Sequence, residues 1–389
     1  MKLIIAEKPS VAKSIAAALG IKTIGNGYFQ NDEYLVSWCI GHLVCPMDAA
    51  GYDENFKKWR YDDLPILPEP FRYVIAPEKD AAFENLRALM NRADVDTVIN
   101  ACDAGREGEL IFRLVYEMAE CKKPILRLWI SSMEDSAIRE GMKNLRPGEE
   151  YEALYRSALC RQKADWLVGI NATRLFSVLY HRTLNVGRVQ TPTLAMLCER
   201  ETKIVLFHKE KYHHVRLNVG GTEALSDKII SSEDAQKMKA ECDGKSARCL
   251  SVTREQKKEQ PPKLYDLTTL QREANRIFGY TAKQTLDYAQ SLYEKKLLTY
   301  PRTDSRYLTS DMAETAVCVF HLAAKLPPFD GCRDFFPDVS GMISDKDVTD
   351  HHAIIPTMEI EKADIGGLPV GERNLLLLVC CKLLCASAE

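Results

Sequence analysis

The stretch VDTVINACDAGREGE, Val95 to Glu109, decides the fold. Its first eight residues are mostly apolar and β-branched, the pattern of a short strand buried on both faces. Asp103 follows the strand, a glycine-bearing loop comes next, and a helix is predicted to begin near Glu109. Leu110, Ile111, Leu114, Val115 and Met118 would form its inner face. The N-terminus has the same order. KLIIA, Lys2 to Ala6, reads as a buried strand ending at Glu7 and Lys8. Ser10 reads as an N-cap, and Val11, Ile15, Ala18 and Leu19 form a helical stripe stopped by Gly20. PILRLWISS reads as a third strand. This alternation predicts an α/β domain with a largely parallel sheet.

Ligands of open α/β sheets bind outside the C-terminal ends of the strands. Glu7 and Asp103 fall there, and Glu107 and Glu109 follow in DAGREGE. Carboxylates brought that close repel one another unless positive charge lies among them. A hard cation such as Mg²⁺, held by one or two carboxylates and several waters, supplies it. The same acids also suit helix N-termini on a solvated rim, so spacing alone leaves both readings open. Lys8 reads as a phosphate contact or a surface charge. Arg188 and Gln190, in the loop NVGRVQTP, read as phosphate contacts or as solvated side chains.

Composition narrows the class. In 389 residues, 46% are hydrophobic and 28% charged, ordinary values for a soluble globular protein of two to four domains. A net charge of −3 excludes whole-molecule electrostatic attraction to nucleic acid, so any such surface is a local groove. The 13 cysteines include no C-x-x-C pair, which excludes a zinc ribbon within the chain and suggests reduced thiols in a cytoplasmic protein. The N-terminal run lacks a secretory apolar segment. LLLLVCCKLLCA is interrupted by Lys382 and is too short for a membrane span.

Four regions are expected. Residues 1–150 form the α/β domain, with about 37–70 as an insertion packing on the next region; there YLVSWCIGHLV reads as a strand pair turning at Gly41. Residues 151–210 are helical. Residues 211–263 are β-rich and end in the linker EQKKEQPPK. Residues 264–389 are mostly helical, with Leu267, Leu270, Ala274, Ile277 and Phe278 on one face and a last helix over 372–388.

The last region holds LLTYPRTDSRYL, Leu297 to Leu308. Its apolar run carries Tyr300 to Pro301, which fixes its own φ and removes a backbone donor. The phenol is thus held on a stiff support with Arg302 two residues on. A free tyrosine, pKa about 10, is ionised in roughly one molecule in a thousand at pH 7, a handicap of about 4 kcal/mol for a nucleophile. A guanidinium reduces that handicap and also grips a phosphate. The alternative is a core tyrosine. His351 and His352 lack the spacing partners of a metal site.

Together these pieces resemble type IA DNA topoisomerases, most closely the bacterial topoisomerase III group. EKPS at Glu7, DAGREGE at Asp103, NVGRVQTPTL at Asn185, TYPRTDS at Thr299 and DHHAIIPT at Asp350 occur in that family's order, and ADWLVGIN and the GHL at Gly41 also match. The resemblance implies a Toprim-type α/β domain, helical domains, an arch segment, and ATP-independent breakage and rejoining of single-stranded DNA in the bacterial cytoplasm, at the nucleoid. It implies that Tyr300 forms a 5′-phosphotyrosine, with Arg302 on the scissile phosphate, Glu7 at the leaving 3′-oxygen, Lys8 stabilising charge and His351 supporting the site. Glu7, Asp103 and Glu107 would hold Mg²⁺, and Arg188, Gln190, Arg302, Thr303, Asp304 and Ser305 would line the DNA. Two departures stand out. The family's D-x-D-x-E pattern has Gly105 at its middle acid, which weakens the expected metal site. The chain also ends before the return that completes the arch, so it is expected to be a truncated form with impaired strand passage. Two other readings are a single-strand-binding remnant without catalysis and a Toprim metal-dependent nuclease or primase in which Tyr300 is structural.

Overall fold

The computed structural model describes residues 1–257, 259–332, 334–348 and 351–387. Lys258 of the predicted linker, Asp350 of DHHAIIPT and Ala388 of the predicted last helix lie outside the described residues. The chain forms two compact units, Met1–Asn185 with Gln260–Glu389, and Val186–Glu259.

In the first unit, strand β1 (Lys2–Ala6) leads into α1 (Pro9–Ala18). Pro9 starts the helix, where its missing donor leaves nothing unsatisfied. The N-cap is therefore Lys8, in extended conformation, and Ser10 already lies inside the helix. Gly20, at φ +71°, takes the left-handed conformation that ends the turn. A hairpin, β2 (Thr23–Gly25) and β3 (Tyr28–Gln30), continues into β4 (Tyr34–Trp38). The predicted turn at Gly41 does not pair β4 with the next strand. Instead β5 (Val44–Pro46) pairs antiparallel with β6 (Tyr73–Ile75) in a separate small sheet. Helix α2 (Asp80–Met90), β7 (Thr97–Ala101), α3 (Arg106–Met118), β8 (Ile125–Arg127), α4 (Asp135–Lys143), β9 (Arg146–Pro147) and α5 (Glu152–Leu179) complete this part.

The main sheet has the order β2-β3-β4-β1-β7-β8-β9. Its centre, β4, β1, β7 and β8, is parallel, with antiparallel edges. Ala6 pairs with Ala101, so β1 and β7 end side by side and deliver Glu7 and Asp103 to one crevice. Helix α3 starts at Arg106, three residues before the predicted start. Gly108 allows that early start, because a Cβ there would lie 2.1 Å from the Asp103 carbonyl oxygen.

One buried cation ties the strand ends together. Arg127 is 1% exposed. Its Nη1 donates to the carbonyls of Asn100, Cys102 and Leu128 at 2.8–3.0 Å, and its Nη2 to that of Asp103 at 2.8 Å. Its Nε lies 2.6 Å from Glu109 Oε1, which also accepts from Asn100 Nδ2 at 2.8 Å.

The C-terminal part of this unit packs α8 (Leu267–Phe278), α9 (Ala282–Glu294), α10 (Ala313–Ala324) and α11 (Val370–Ala386) around a second core. Asp266 and Thr281 cap α8 and α9 through capping boxes. Leu270 and Ala274 face inward as expected, whereas Ile277 is 48% exposed. In the second unit lie α6 (Gln190–Val205), the hairpin β10 (Arg216–Val219) and β11 (Thr222–Leu225), and α7 (Ser232–Cys242). The β-rich expectation for 211–263 thus meets one hairpin and a helix. No helix among the described residues is long and apolar enough to cross a membrane.

Removing one partner of a buried ion pair costs about 3–5 kcal/mol, whereas an exposed pair contributes about 0–1 kcal/mol. Glu109→Ala is therefore expected to lower unfolding stability by about 3 kcal/mol or more in urea titrations. Glu84→Ala, which breaks the exposed pair with Arg87, is the control expected to change it by less than about 1 kcal/mol.

Candidate active site

Leu297 and Leu298 are buried in the helical core, while Tyr300, two residues on, enters the core beside β1 and β7. Short extended pairings hold this crossing: Thr299 N–H donates to Ile355 O at 3.0 Å, and Thr357 N–H to Leu297 O at 3.1 Å. Tyr300 N–H then donates to Ser131 O, beyond β8, at 3.1 Å. The phenol reaches the acidic crevice, where its hydroxyl donates to Asp103 Oδ2 at 3.0 Å.

His351 locks the same corner. Its ring lies 4.4 Å from the Tyr300 ring, centroid to centroid. Nε2 bonds to Ala104 O and Nδ1 to Ser131 Oγ. A carbonyl can only accept, so Nε2 carries the proton and the Ser131 hydroxyl donates to Nδ1. Burial pushes the His351 pKa down to about 4, which keeps the ring neutral at pH 7. Tyr293 packs edge-on against Tyr300 at 5.3 Å.

The two strand-end acids are partly buried and raise one another's pKa. Burial, reinforced by the Asp103 charge, raises the Glu7 pKa to about 7. Burial also raises Asp103, opposed by the Tyr300 hydrogen bond and the charges of Lys8 and Arg302. Burial and Asp103 push the Tyr300 phenol well above its ordinary value; Arg302 acts in the opposite direction and is outweighed. In this closed arrangement the tyrosine is thus further from ionisation than a free one.

The remaining sequence-predicted residues divide clearly. Lys8 Nζ is 3.3 Å from Glu294 Oε1. Arg302 and Asp304 are exposed. Thr303 and Ser305 are buried, and their hydroxyls bond the carbonyls of His351 and Asp347 at 2.9 Å, so they hold the loop. Glu107 is not drawn into the crevice. Its carboxylate pairs with Arg161 at 2.9 Å, with His42 at 3.8 Å. Arg188 and Gln190 belong to the second unit, where both are exposed. Sequence reading missed Arg127, Ser131, Tyr293 and Glu294. Of these, only Arg127 carried a signal: a lone arginine inside an otherwise apolar strand.

Glu7 and Asp103, all-oxygen donors against a repelling charge, fit a hard divalent cation, while Glu107, held by Arg161, does not join them. No group of three or more His, Cys, Asp or Glu side chains gathers as a metal cluster among the described residues. Gly105 lies in extended backbone (φ 160°, ψ 172°), and a Cβ there would meet no atom within 4 Å.

These features coincide with known families. A Toprim domain model matches residues 2–133, and a model described as DNA topoisomerase matches residues 149–389. The chain belongs to the DNA topoisomerase family. It is 43% identical over 373 residues to DNA topoisomerase 3 of Bacillus subtilis, covering 92% of this chain and 51% of that protein. It is 41% identical over 380 residues to DNA topoisomerase 3 of Shouchella clausii, covering 93% and 52%. The chain therefore spans about half the length of the curated relatives it matches. Its fold also matches full-length topoisomerase I from Thermotoga maritima, with a TM-score of 0.68 at 24% identity over 99% of this chain and 60% of that one.

The crevice yields two testable outcomes. Because Glu7 holds its proton more tightly when folded, its contribution to stability is complete below its ordinary value of 4.5 and is lost as pH rises through about 7. Denaturation titrations are expected to show stability falling by about 1–3 kcal/mol across that window, and falling less in Glu7→Gln. The open space at Gly105 should accept a third carboxylate. Gly105→Asp is expected to tighten Mg²⁺ binding by about tenfold in calorimetry without DNA, and an unchanged affinity would disprove that role for the position.

Proposed function

We propose that the chain performs type IA strand breakage and rejoining on single-stranded DNA. The observation that carries this reading is the 3.0 Å hydrogen bond from the Tyr300 hydroxyl to Asp103, at the meeting point of the tyrosine segment and the strand-end acids. In the proposed reaction the Tyr300 oxygen attacks phosphorus. The phosphorus–O3′ bond breaks as the phosphotyrosine bond forms. Asp103 takes the phenolic proton, since its carboxylate already accepts that hydrogen. Glu7, with a pKa of about 7, supplies a proton to the departing O3′. The products are a 5′-phosphotyrosine and a 3′-hydroxyl. The reverse steps use the same two carboxyl groups, so one ester replaces another and no ATP is consumed.

Arg302, exposed beside Tyr300, grips the scissile phosphate. Lys8 joins it once the phosphate displaces Glu294 from its ammonium group. His351, neutral and doubly hydrogen-bonded, orients the tyrosine ring. Glu7 and Asp103, when both are ionised, would hold Mg²⁺, which would supply a fixed positive charge in the crevice. Tyr300 is only 7% exposed, so DNA gains access when the tyrosine segment parts from the strand ends. Arg188 and Gln190 track the DNA backbone. Relaxation of negative supercoils or decatenation, at the nucleoid in the cytoplasm, is the corresponding role of the whole protein.

The test is a denaturing gel with single-stranded oligonucleotides labelled at either end, with and without Mg²⁺. A protein-linked band carrying the DNA downstream of the break is expected for the unmodified chain and not for Tyr300→Phe. Metal-dependent cutting that survives Tyr300→Phe would replace this reading with a Toprim nuclease. Salt-sensitive binding without any adduct would leave a single-strand-binding protein.

A further inference from the structure

Trp129 follows β8, two residues after Arg127, so the two side chains leave one face of the chain. The Arg127 guanidinium carbon lies 5.0 Å from the centroid of the Trp129 ring, within cation–π range. Tyr151, just ahead of α5, stacks on the same indole at 5.1 Å and 20°. The His351 ring lies nearly parallel to the indole, at 12°, with centroids 6.3 Å apart. Tyr300 comes next, 4.4 Å from His351. Tyr151, Trp129, His351 and Tyr300 thus form a row of rings that ends at the nucleophile. It crosses the seam between the α/β part and the helical part of the first unit.

The two ring nitrogens of His351 are bonded to Ala104 O and Ser131 Oγ. Such bonds hold the edge of an imidazole but bend readily out of its plane, so the tilt of the ring is set by what packs beside it. Tyr300 is the group to be placed and cannot serve as the reference. Trp129 can, because Arg127 and Tyr151 anchor it. His351 and Tyr300 belong to the helical part and Trp129 to the α/β part. When the seam closes, the indole is therefore the fixed surface against which the imidazole is aligned.

We infer that Trp129 is a positioning residue for strand breakage: its indole sets the tilt of the His351 imidazole, and through it the approach of the Tyr300 ring to the strand-end acids. Trp129 touches no reacting atom and acts only through His351. The role in breakage rests on the strand-cleavage reading, whereas the seating of His351 on Trp129 does not.

Single-turnover adduct formation with a labelled single-stranded oligonucleotide tests the role. Trp129→Leu keeps apolar bulk and removes the ring. Its rate at saturating oligonucleotide is expected to fall about tenfold or more, with oligonucleotide affinity changed by less than about threefold. Trp129→Phe, which keeps a ring, is expected to retain most of the rate. Tyr151→Leu, which removes the ring behind the indole, is expected to lower the rate about threefold. In a His351→Ala background either leucine variant is expected to cost less than about twofold more, because the contact it acts through is already gone. Equal losses in the two backgrounds place the effect in Arg127 or in general packing and overturn the proposal, as does a fall in affinity that accounts for the whole loss. A second readout needs no DNA. With histidine ¹³C-labelled at Cε1, the His351 resonance, identified by its absence in His351→Ala, is expected to shift and broaden in Trp129→Leu and to stay as it is in Tyr180→Leu, a change at an exposed ring. An unchanged resonance in Trp129→Leu overturns the seating. Absence of adduct in the unmodified chain, with the resonance responding as expected, overturns the strand-cleavage reading and leaves the seating standing.

Discussion

The buried guanidinium of Arg127 is the constraint on which the rest of the structure depends. Strand ends are where sheet hydrogen bonding stops, and their carbonyls must find donors elsewhere. Arg127 supplies them to Asn100, Cys102, Leu128 and Asp103, and its charge is met by Glu109 from the first turn of α3. This network sets the path of the backbone at Asp103. The position of the Asp103 carboxyl, and through it the hydroxyl of Tyr300, follows from that path. The site is therefore only as well placed as an ion pair that touches no reacting atom, a supporting arrangement that preorganised sites commonly need.

Much of this was legible in the sequence. KLIIA and VDTVINAC are apolar on both faces, so their place at the centre of a parallel sheet follows from composition. The acids after them are then placed by topology, because parallel neighbours end on the same side. Tyr300 was legible because Pro301 interrupts an apolar run immediately after it. Other features were hidden for physical reasons. The partner of β5 is β6, whose closest residue is more than two dozen positions away, and local periodicity carries no information about such a pairing. Ile277 falls on the inner stripe by periodicity but is exposed, while its neighbour Phe278 packs against the helical core in the last turn of α8.

The acidic loop shows the limit most clearly. Glu107 and Glu109 are two residues apart, chemically equivalent, and both suited to the first turn of a helix. Moving the start of α3 from the predicted position to Arg106 decides their fates. Glu109 turns inward to Arg127 and Glu107 turns outward to Arg161. That start depends on Gly108 approaching the Asp103 carbonyl, a contact invisible without the fold. Likewise Thr303 and Ser305 look like polar loop residues free to meet DNA. They are instead enclosed because the segment from His351 to Thr357 returns beside them.

The seam beside Tyr300 is closed mainly by polar links: Lys8 to Glu294, Lys296 to Asp135, and Glu134 to the Met358 amide. In the apolar cluster around β1 and β7, the helical part contributes the rings of Tyr293 and Tyr300. Parting the two sides there uncovers about two aromatic rings and leaves the helical core intact. Heat-capacity change follows apolar exposure, so such an opening has a small heat-capacity signature beside that of unfolding. An opening of this kind would part Tyr300 from the strand ends without loosening the helical core that holds its segment.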